Sequence, residues 1–322
     1  MKKFLIIRFS SIGDIVLTTP IVRCLRKKYP NAQIHYLTKA AFAPIVQANR
    51  NIDKVFALEG STKNIIHKLK KEEYSHIIDL HKNLRSKKII LALGIKATSF
   101  PKLNVEKFLM VKFKMDRLPK IHIVDRYFEA VKKLAVKNDY EGLDFFIPEN
   151  EKLNPKELPP LYNVLVVGAA HNTKSLKENQ LVTIAQNSVL PIVLIGGKKE
   201  EKTAKSISEK VGDNVINTCG KYNLYQSASV LQNASCVITP DTGMMHIASA
   251  FKKKIISVWG NTIPKFGMYP YMPKQPELFK IFEVKELNCR PCSKIGFDEC
   301  PKSHFKCIEE LDINGIIKEM NS

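Results

Sequence analysis

Short apolar runs alternate with helix-periodic stretches along the whole chain, in two series separated by a proline-rich segment. In the first series "KFLIIRF", "QIHYL", "DKVFAL", "SHIIDL" and "IKATSF" read as strands, with helical stretches over 14–28, 61–71 and 121–137. In the second, "YNVLVV", "PIVLIGG", "NVINT", "ASCVITP" and "KIISVWG" read as strands, with helices near 178–188, 200–210, 224–232 and 243–251. Between them, "NDYEGLDFFIPENEKLNPKELPPLYN" carries four prolines and little periodicity, as an interdomain linker does. This pattern predicts an α/β protein of two βαβ domains, residues 1–150 and 151–322, a division that the length of 322 residues permits. Ligands of parallel sheets bind beyond the carboxyl ends of the strands, so the two domains are expected to face each other across a cleft. Function is therefore to be sought immediately after strands.

Five strand ends carry polar residues. "FSSIGD" places Ser11, Gly13 and Asp14 after the first strand, and "HKNLR" places Arg85 after the fourth. In "CVITPDTGMMHIASAF" the strand turns at Asp241, Thr242 and Gly243 directly into a helix with His246 one turn on. Free first-turn amides and the positive end of the helix dipole make such a turn an anion site, although an N-cap role alone also accounts for Asp241. Lys174 lies in the turn of "VGAAHNTKSLKENQL", against a diphosphate or in solvent. Glu200 follows a Gly-Gly turn, as a dipole-complementing acid or as an acceptor from ribose hydroxyls. No GxGxxG, Walker A loop or DxD occurs, which argues against a dehydrogenase, a P-loop NTPase and a metal-dependent nucleotide-sugar enzyme.

Net charge is +20 and uneven: residues 1–150 hold 29 Lys or Arg against 14 Asp or Glu, a net of +15, and the remainder 22 against 17, a net of +5. Either this is a solvated lysine-rich face, or the first half meets a polyanion. Aromatic residues do not interleave with the lysines and no zinc-finger, RNP or helix-turn-helix pattern is present, so nucleic acid is not expected as a partner. No apolar run approaches the roughly 18 residues of a membrane span, and Arg8 interrupts the N-terminal apolar stretch where a signal peptide would need continuity. A cytoplasmic location is expected.

The pairing of "IIRFSSIGDIVLTTPIVRCLRKKYPNAQIHYLT" with "TPDTGMMHIASAFKKKIISVWGNT" resembles glycosyltransferase family 9, the ADP-heptose:lipopolysaccharide heptosyltransferases, and "YSHIIDLHKNLRSKKI" and "IHIVDRY" agree with it. The resemblance implies the GT-B fold, two Rossmann-like domains with the donor on the second, and inverting, metal-independent transfer with no cofactor. It implies ADP-heptose as donor and a lipopolysaccharide or lipooligosaccharide core as acceptor. Asp14 then becomes the general base and Lys174 a stabiliser of the departing diphosphate. Donor contacts fall on Glu200, Asp241, Thr242, Gly243 and His246. The acceptor side falls on Ser11, Gly13, Arg85 and Arg126, with the lysine excess facing an anionic inner-membrane surface. The chain departs from the family in having Ala169 and Ala170 where characterised members carry two threonines, which leaves open another nucleotide sugar or another glycan acceptor. A noncatalytic polyanion-binding protein on the same scaffold is a third reading.

Four of the seven cysteines cluster in "CRPCSKIGFDECPKSHFKC". Cys289, Cys292, Cys300 and Cys307 admit a metal site, a disulfide or reduced thiols, and the spacing of the second pair departs from the usual zinc pattern. Cys24, Cys219 and Cys236 are expected to be packed.

Overall fold

A computed structural model describes residues 1–322, apart from the side chain of Pro155. The chain divides into two compact units, one of residues Met1–Lys102 with Ile121–Phe146, the other of Leu103–Lys120 with Ile147–Ser322. Residues 103–120 thus leave the first half of the sequence and pack with the second unit. The first nine residues of the presumed linker, 138–146, stay with the first unit, where Arg23 binds Asp139 at 2.8 Å and also pairs with Asp144.

The first unit contains a five-stranded parallel sheet, β1 (Lys3–Ile7), β2 (Gln33–Lys39), β3 (Lys54–Leu58), β4 (His76–Asp79) and β5 (Ala97–Ser99), in the order β3-β2-β1-β4-β5. Leu5, Ile6, Ile7, Ile77 and Ile78 are fully buried, because helices cover both faces and a continuous apolar run suits a central parallel strand. The expected helix over 14–28 is two helices, Ile12–Val16 and Thr19–Lys28. Pro20 lies in the first turn of the second, where its missing N–H costs no hydrogen bond, and the Thr18 and Thr19 hydroxyls donate to the Ile15 and Val16 carbonyls at 2.7 Å each. The stretch 121–137 is helical only over Ile123–Phe128, capped by His122, with a single 3₁₀ turn at Lys132–Leu134.

The second unit contains β6 (Asn163–Val166), β7 (Ile192–Ile195), β8 (Val215–Asn217), β9 (Cys236–Pro240), β10 (Lys254–Trp259) and β11 (Phe279–Glu283), all parallel, in the order β11-β10-β9-β6-β7-β8. Relabelled from its own first strand this order is 3-2-1-4-5-6, the doubly wound arrangement, and the first sheet has the same order without the sixth strand. β11 was not expected from the sequence: its five residues are only half-buried at the sheet edge and lack a strong apolar pattern. Helices Leu84–Leu93, Asn104–Phe113 and Ile313–Asn321 were likewise not assigned. Each sheet has one topological switch point, between β1 and β4 and between β6 and β9, where the chain departs in opposite directions and leaves a crevice. No helix among the described residues is long and apolar enough to cross a membrane.

Candidate active site

At the switch point of the first sheet the turn after β1 brings Arg8, Ser11 and Asp14 together. Asp14 lies in the first turn of helix Ile12–Val16. Its Oδ1 meets Arg8 Nη2 at 2.6 Å, and its Oδ2 accepts from the Ser11 hydroxyl at 2.8 Å and the Ser11 amide at 3.2 Å. The carboxylate is 23% exposed and Arg8 is buried. Arg8 also donates to the Ser10 carbonyl at 2.8 Å and, across the switch point, to the Leu80 carbonyl at 2.6 Å. Burial opposes the charge on Arg8, but Asp14 and the Tyr127 and Tyr36 hydroxyls more than offset it and raise its pKa. The guanidinium is therefore a fixed cation that aims one carboxylate oxygen. Gly13 is buried in the same turn.

Two further groups stand around this pair. His81, after β4, packs edge-on against Phe9, and burial, then the charges of Arg8 and Lys102, push its pKa down to about 4. Lys102 donates to the Lys82 carbonyl at 3.0 Å, and its own pKa falls through burial and the proximity of Arg8. Asp79 builds the β4 turn by accepting from the amides of His81 and Lys82 at 3.0 and 2.8 Å and from the Ser86 hydroxyl at 2.7 Å. Of the expected acceptor arginines, Arg85 is exposed on helix Leu84–Leu93, and Arg126 is buried on helix Ile123–Phe128.

At the switch point of the second sheet Lys174, after β6, reaches Asp241, after β9. Lys174 Nζ lies 2.7 Å from Asp241 Oδ2, and both side chains are at most 13% exposed, so neither lies free in solvent. The Thr262 hydroxyl donates to the same carboxylate oxygen at 3.1 Å. Asp241 is not the cap of the following helix. Thr242 occupies that position with extended backbone and makes no side-chain capping bond, and Gly243 is the first helical residue. The amides of this first turn are thus left for an anion. His246 is buried one turn on.

Glu200 stands where β6 and β7 end. Its Oε2 accepts from the Gly197 amide at 2.8 Å, and a β-carbon at Gly168 would overlap its carboxylate and force it to shift. At Gly260 a β-carbon would strike the Thr173 carbonyl, which accounts for the glycine there.

The cysteine-bearing segment supports these turns. Arg290, buried, donates to the carbonyls of Gly260 at 2.6 Å, Thr262 at 2.8 Å and Trp259 at 3.2 Å, and pairs with Glu283 at 2.9 Å. It holds the loop that presents Thr262 to Asp241. Phe297 holds the neighbour of Lys174: the Thr173 hydroxyl donates to its carbonyl at 2.8 Å. All seven cysteines are free thiols, with Cys24, Cys219 and Cys236 buried. Burial pushes the Cys292 and Cys307 thiols up to about 11, whereas backbone amides of residues 302–305 lower that of Cys300 against the effect of burial. Among the described residues no three His, Cys, Asp or Glu side chains are disposed to hold a metal ion.

Sequence reading missed Arg8, His81, Lys102, Thr262 and Arg290. A charge closing an apolar strand in "LIIRF" is a signal for the first; Arg290 was hidden by the cysteines around it.

The model of glycosyltransferase family 9 (heptosyltransferase) matches residues 62–298. The chain belongs to this family. As a family 9 member it is a glycosyltransferase. A lipooligosaccharide heptosyltransferase 2 of Haemophilus influenzae is 22% identical, covering 95% of this chain and 98% of the relative. Among solved structures, a family 9 glycosyl transferase from Veillonella parvula superposes with a TM-score of 0.79 at 20% identity, covering 99% of this chain and 96% of that one. The ADP-heptose lps heptosyltransferase II of E. coli superposes with a TM-score of 0.74 at 19% identity, covering 100% and 98%. The fold is GT-B, as expected from the sequence.

Proposed function

We propose that this family 9 enzyme transfers heptose from ADP-heptose to a lipopolysaccharide or lipooligosaccharide core acceptor, with inversion, without a metal, and with Asp14 as general base. What carries the reading is the Asp14 carboxylate, fixed at a switch point by Arg8 and Ser11 and still partly open to solvent. In the reaction one Asp14 oxygen takes the proton of the acceptor hydroxyl as that oxygen bonds to the anomeric carbon and the bond to ADP breaks. Proton transfer to a carboxylate comes late when the sugar already resembles an oxocarbenium ion, so an ordinary acid suffices. Charge developing on the diphosphate would be met by the amides at Thr242 and Gly243 and by Lys174, which keeps N–H donors beyond those used on Asp241. Glu200 would accept from ribose hydroxyls. Donor and acceptor follow the names of the relatives, and the basic first half suits an acidic core at the cytoplasmic face of the inner membrane.

The test is turnover of ADP-heptose with a truncated core acceptor, wild type against Asp14→Asn. A loss of at least about a hundredfold is expected, with ADP still raising the melting temperature of the variant. Turnover close to wild type in the variant would refute the role of Asp14. Ala169 and Ala170, which bring no hydroxyls to the β6 turn, favour a second reading with another nucleotide sugar. Thermal stabilisation by UDP or GDP and not by ADP would decide for it.

A further inference from the structure

Helix Asn104–Phe113 has no buried residue, and Val105, Phe108 and Phe113 are exposed on it beside Lys112. Phe108 is 51% exposed, Phe113 58% and Met115 43%, and the two rings stand 6.0 Å apart, edge to face. The opposite face anchors the helix to its own unit: Met110 and Val111 pack against Leu118, Ile263 and Phe266, and Lys114 donates to the Pro291 and Cys289 carbonyls at 2.7 and 3.1 Å. The exposed aromatic face is therefore not a core face turned the wrong way; the helix already has its core contact. Lys112, Arg117 and Lys120 are exposed along the same segment, and one of its two acids, Asp116, is taken up by Lys265.

We propose that residues 103–120 dock this protein on an anionic phospholipid surface, with Phe108, Phe113 and Met115 entering the acyl boundary and Lys112, Arg117 and Lys120 meeting lipid phosphates. Exposed aromatic and thioether side chains beside cations, on a helix and the turn that follows it, are the chemistry of an interfacial segment. Charge selects the occupant. The chain carries +20, so a second copy would oppose like charges across the patch, whereas an anionic bilayer satisfies the cations and the apolar side chains together. The inference rests on the proposal of a lipid-borne acceptor for its purpose, and it can fail separately.

The test is flotation of the full chain with vesicles of phosphatidylcholine alone or with added phosphatidylglycerol, neither containing the acceptor. The wild type is expected to float with the anionic vesicles only, and less so as salt rises. Lys112→Gln/Arg117→Gln/Lys120→Gln should weaken partition by about fivefold for each cation removed, and Phe108→Ser/Phe113→Ser by at least about tenfold. Both variants change exposed side chains, so ADP protection and turnover of a soluble truncated acceptor should persist in them. A wild type that stays behind, either variant floating like wild type, or a dimer that Phe108→Ser/Phe113→Ser dissolves would each overturn the docking. Failure of turnover with flotation intact would strike the enzymatic reading and leave this one standing.

Discussion

The two switch points each pair an acid with a cation, but with acid and helix start in opposite order. In the first sheet the carboxylate lies inside the helix that follows β1, and its cation lies before it in the same turn. In the second the carboxylate, Asp241, lies before the helix that follows β9, and its cation comes from the turn after β6. This order decides which ligand each turn can accept. Asp14 fills its own helix start by accepting the Ser11 amide, so the first turn shows a negative oxygen and repels phosphate. Asp241 is drawn aside by Lys174 and Thr262, which leaves the helix start at Thr242 and Gly243 open to an anion. One scaffold, used twice, thus presents in one half a carboxylate, for which we propose the role of base, and in the other a helix start that suits an anion.

The two turns also differ in what holds them, and removing that support gives the largest expected effect. The first turn carries its own arginine, whereas the second depends on Arg290, far away in sequence. Arg290→Met would leave Glu283 and three or more carbonyls without their buried partner, and should cost about 3–5 kcal/mol. Trp259, the one tryptophan, is buried in the strand next to this loop, so its fluorescence in a urea titration reports the second unit. An unfolding midpoint unchanged from wild type would show that the second turn, like the first, stands without remote support.

Next in size is the contrast between the two acids. Asp14→Asn should act on kcat, whereas Asp241→Asn frees Lys174 from its ion pair and loosens Thr262. For that variant the expected result is a donor KM raised by about tenfold, the value of one charge-assisted hydrogen bond, with a smaller change in kcat. Equal effects of the two substitutions on kcat and KM would abolish the distinction drawn between the turns.

Much of this was legible in the residues. Ten of the eleven strands can be read from short runs of apolar and β-prone residues, the central ones most plainly because buried parallel strands tolerate little else. Asp14, Lys174, Glu200 and the Asp241–Gly243 turn follow from that, since each stands just beyond such a run. What could not be read is pairing across the fold. That Lys174 would meet Asp241 depends on β6 and β9 lying side by side, and neither residue carries a mark of the other. Arg290 shows the same limit more sharply: its acceptors are mostly backbone carbonyls, which leave no trace in side-chain identity. Residues 103–120 sit in the first half of the sequence yet pack with the second unit, which the contacts of Met110, Val111 and Lys114 reveal.

A last contrast lies at His81 and tests whether the first turn must keep a further cation away from its acid. Burial, with Arg8 and Lys102 nearby, lowers the His81 pKa to about 4, below the roughly 6.5 of an unfolded chain. As pH falls the unfolded state takes up this proton first, so the contribution of His81 to stability is complete above about pH 6.5 and is lost between there and about pH 4. The partly exposed ring limits the loss to about 2 kcal/mol. His81→Gln, neutral throughout, should flatten the dependence of urea-unfolding free energy on pH across that window. Turnover gives the sharper readout. A protonated His81 would set a second cation beside the Arg8–Asp14 pair, so activity of the wild type should fall toward the acid end of the window more steeply than that of the variant. Parallel pH profiles for the two proteins would mean that His81 has no electrostatic hold on the acid, and that Arg8 alone sets the first turn apart from the second.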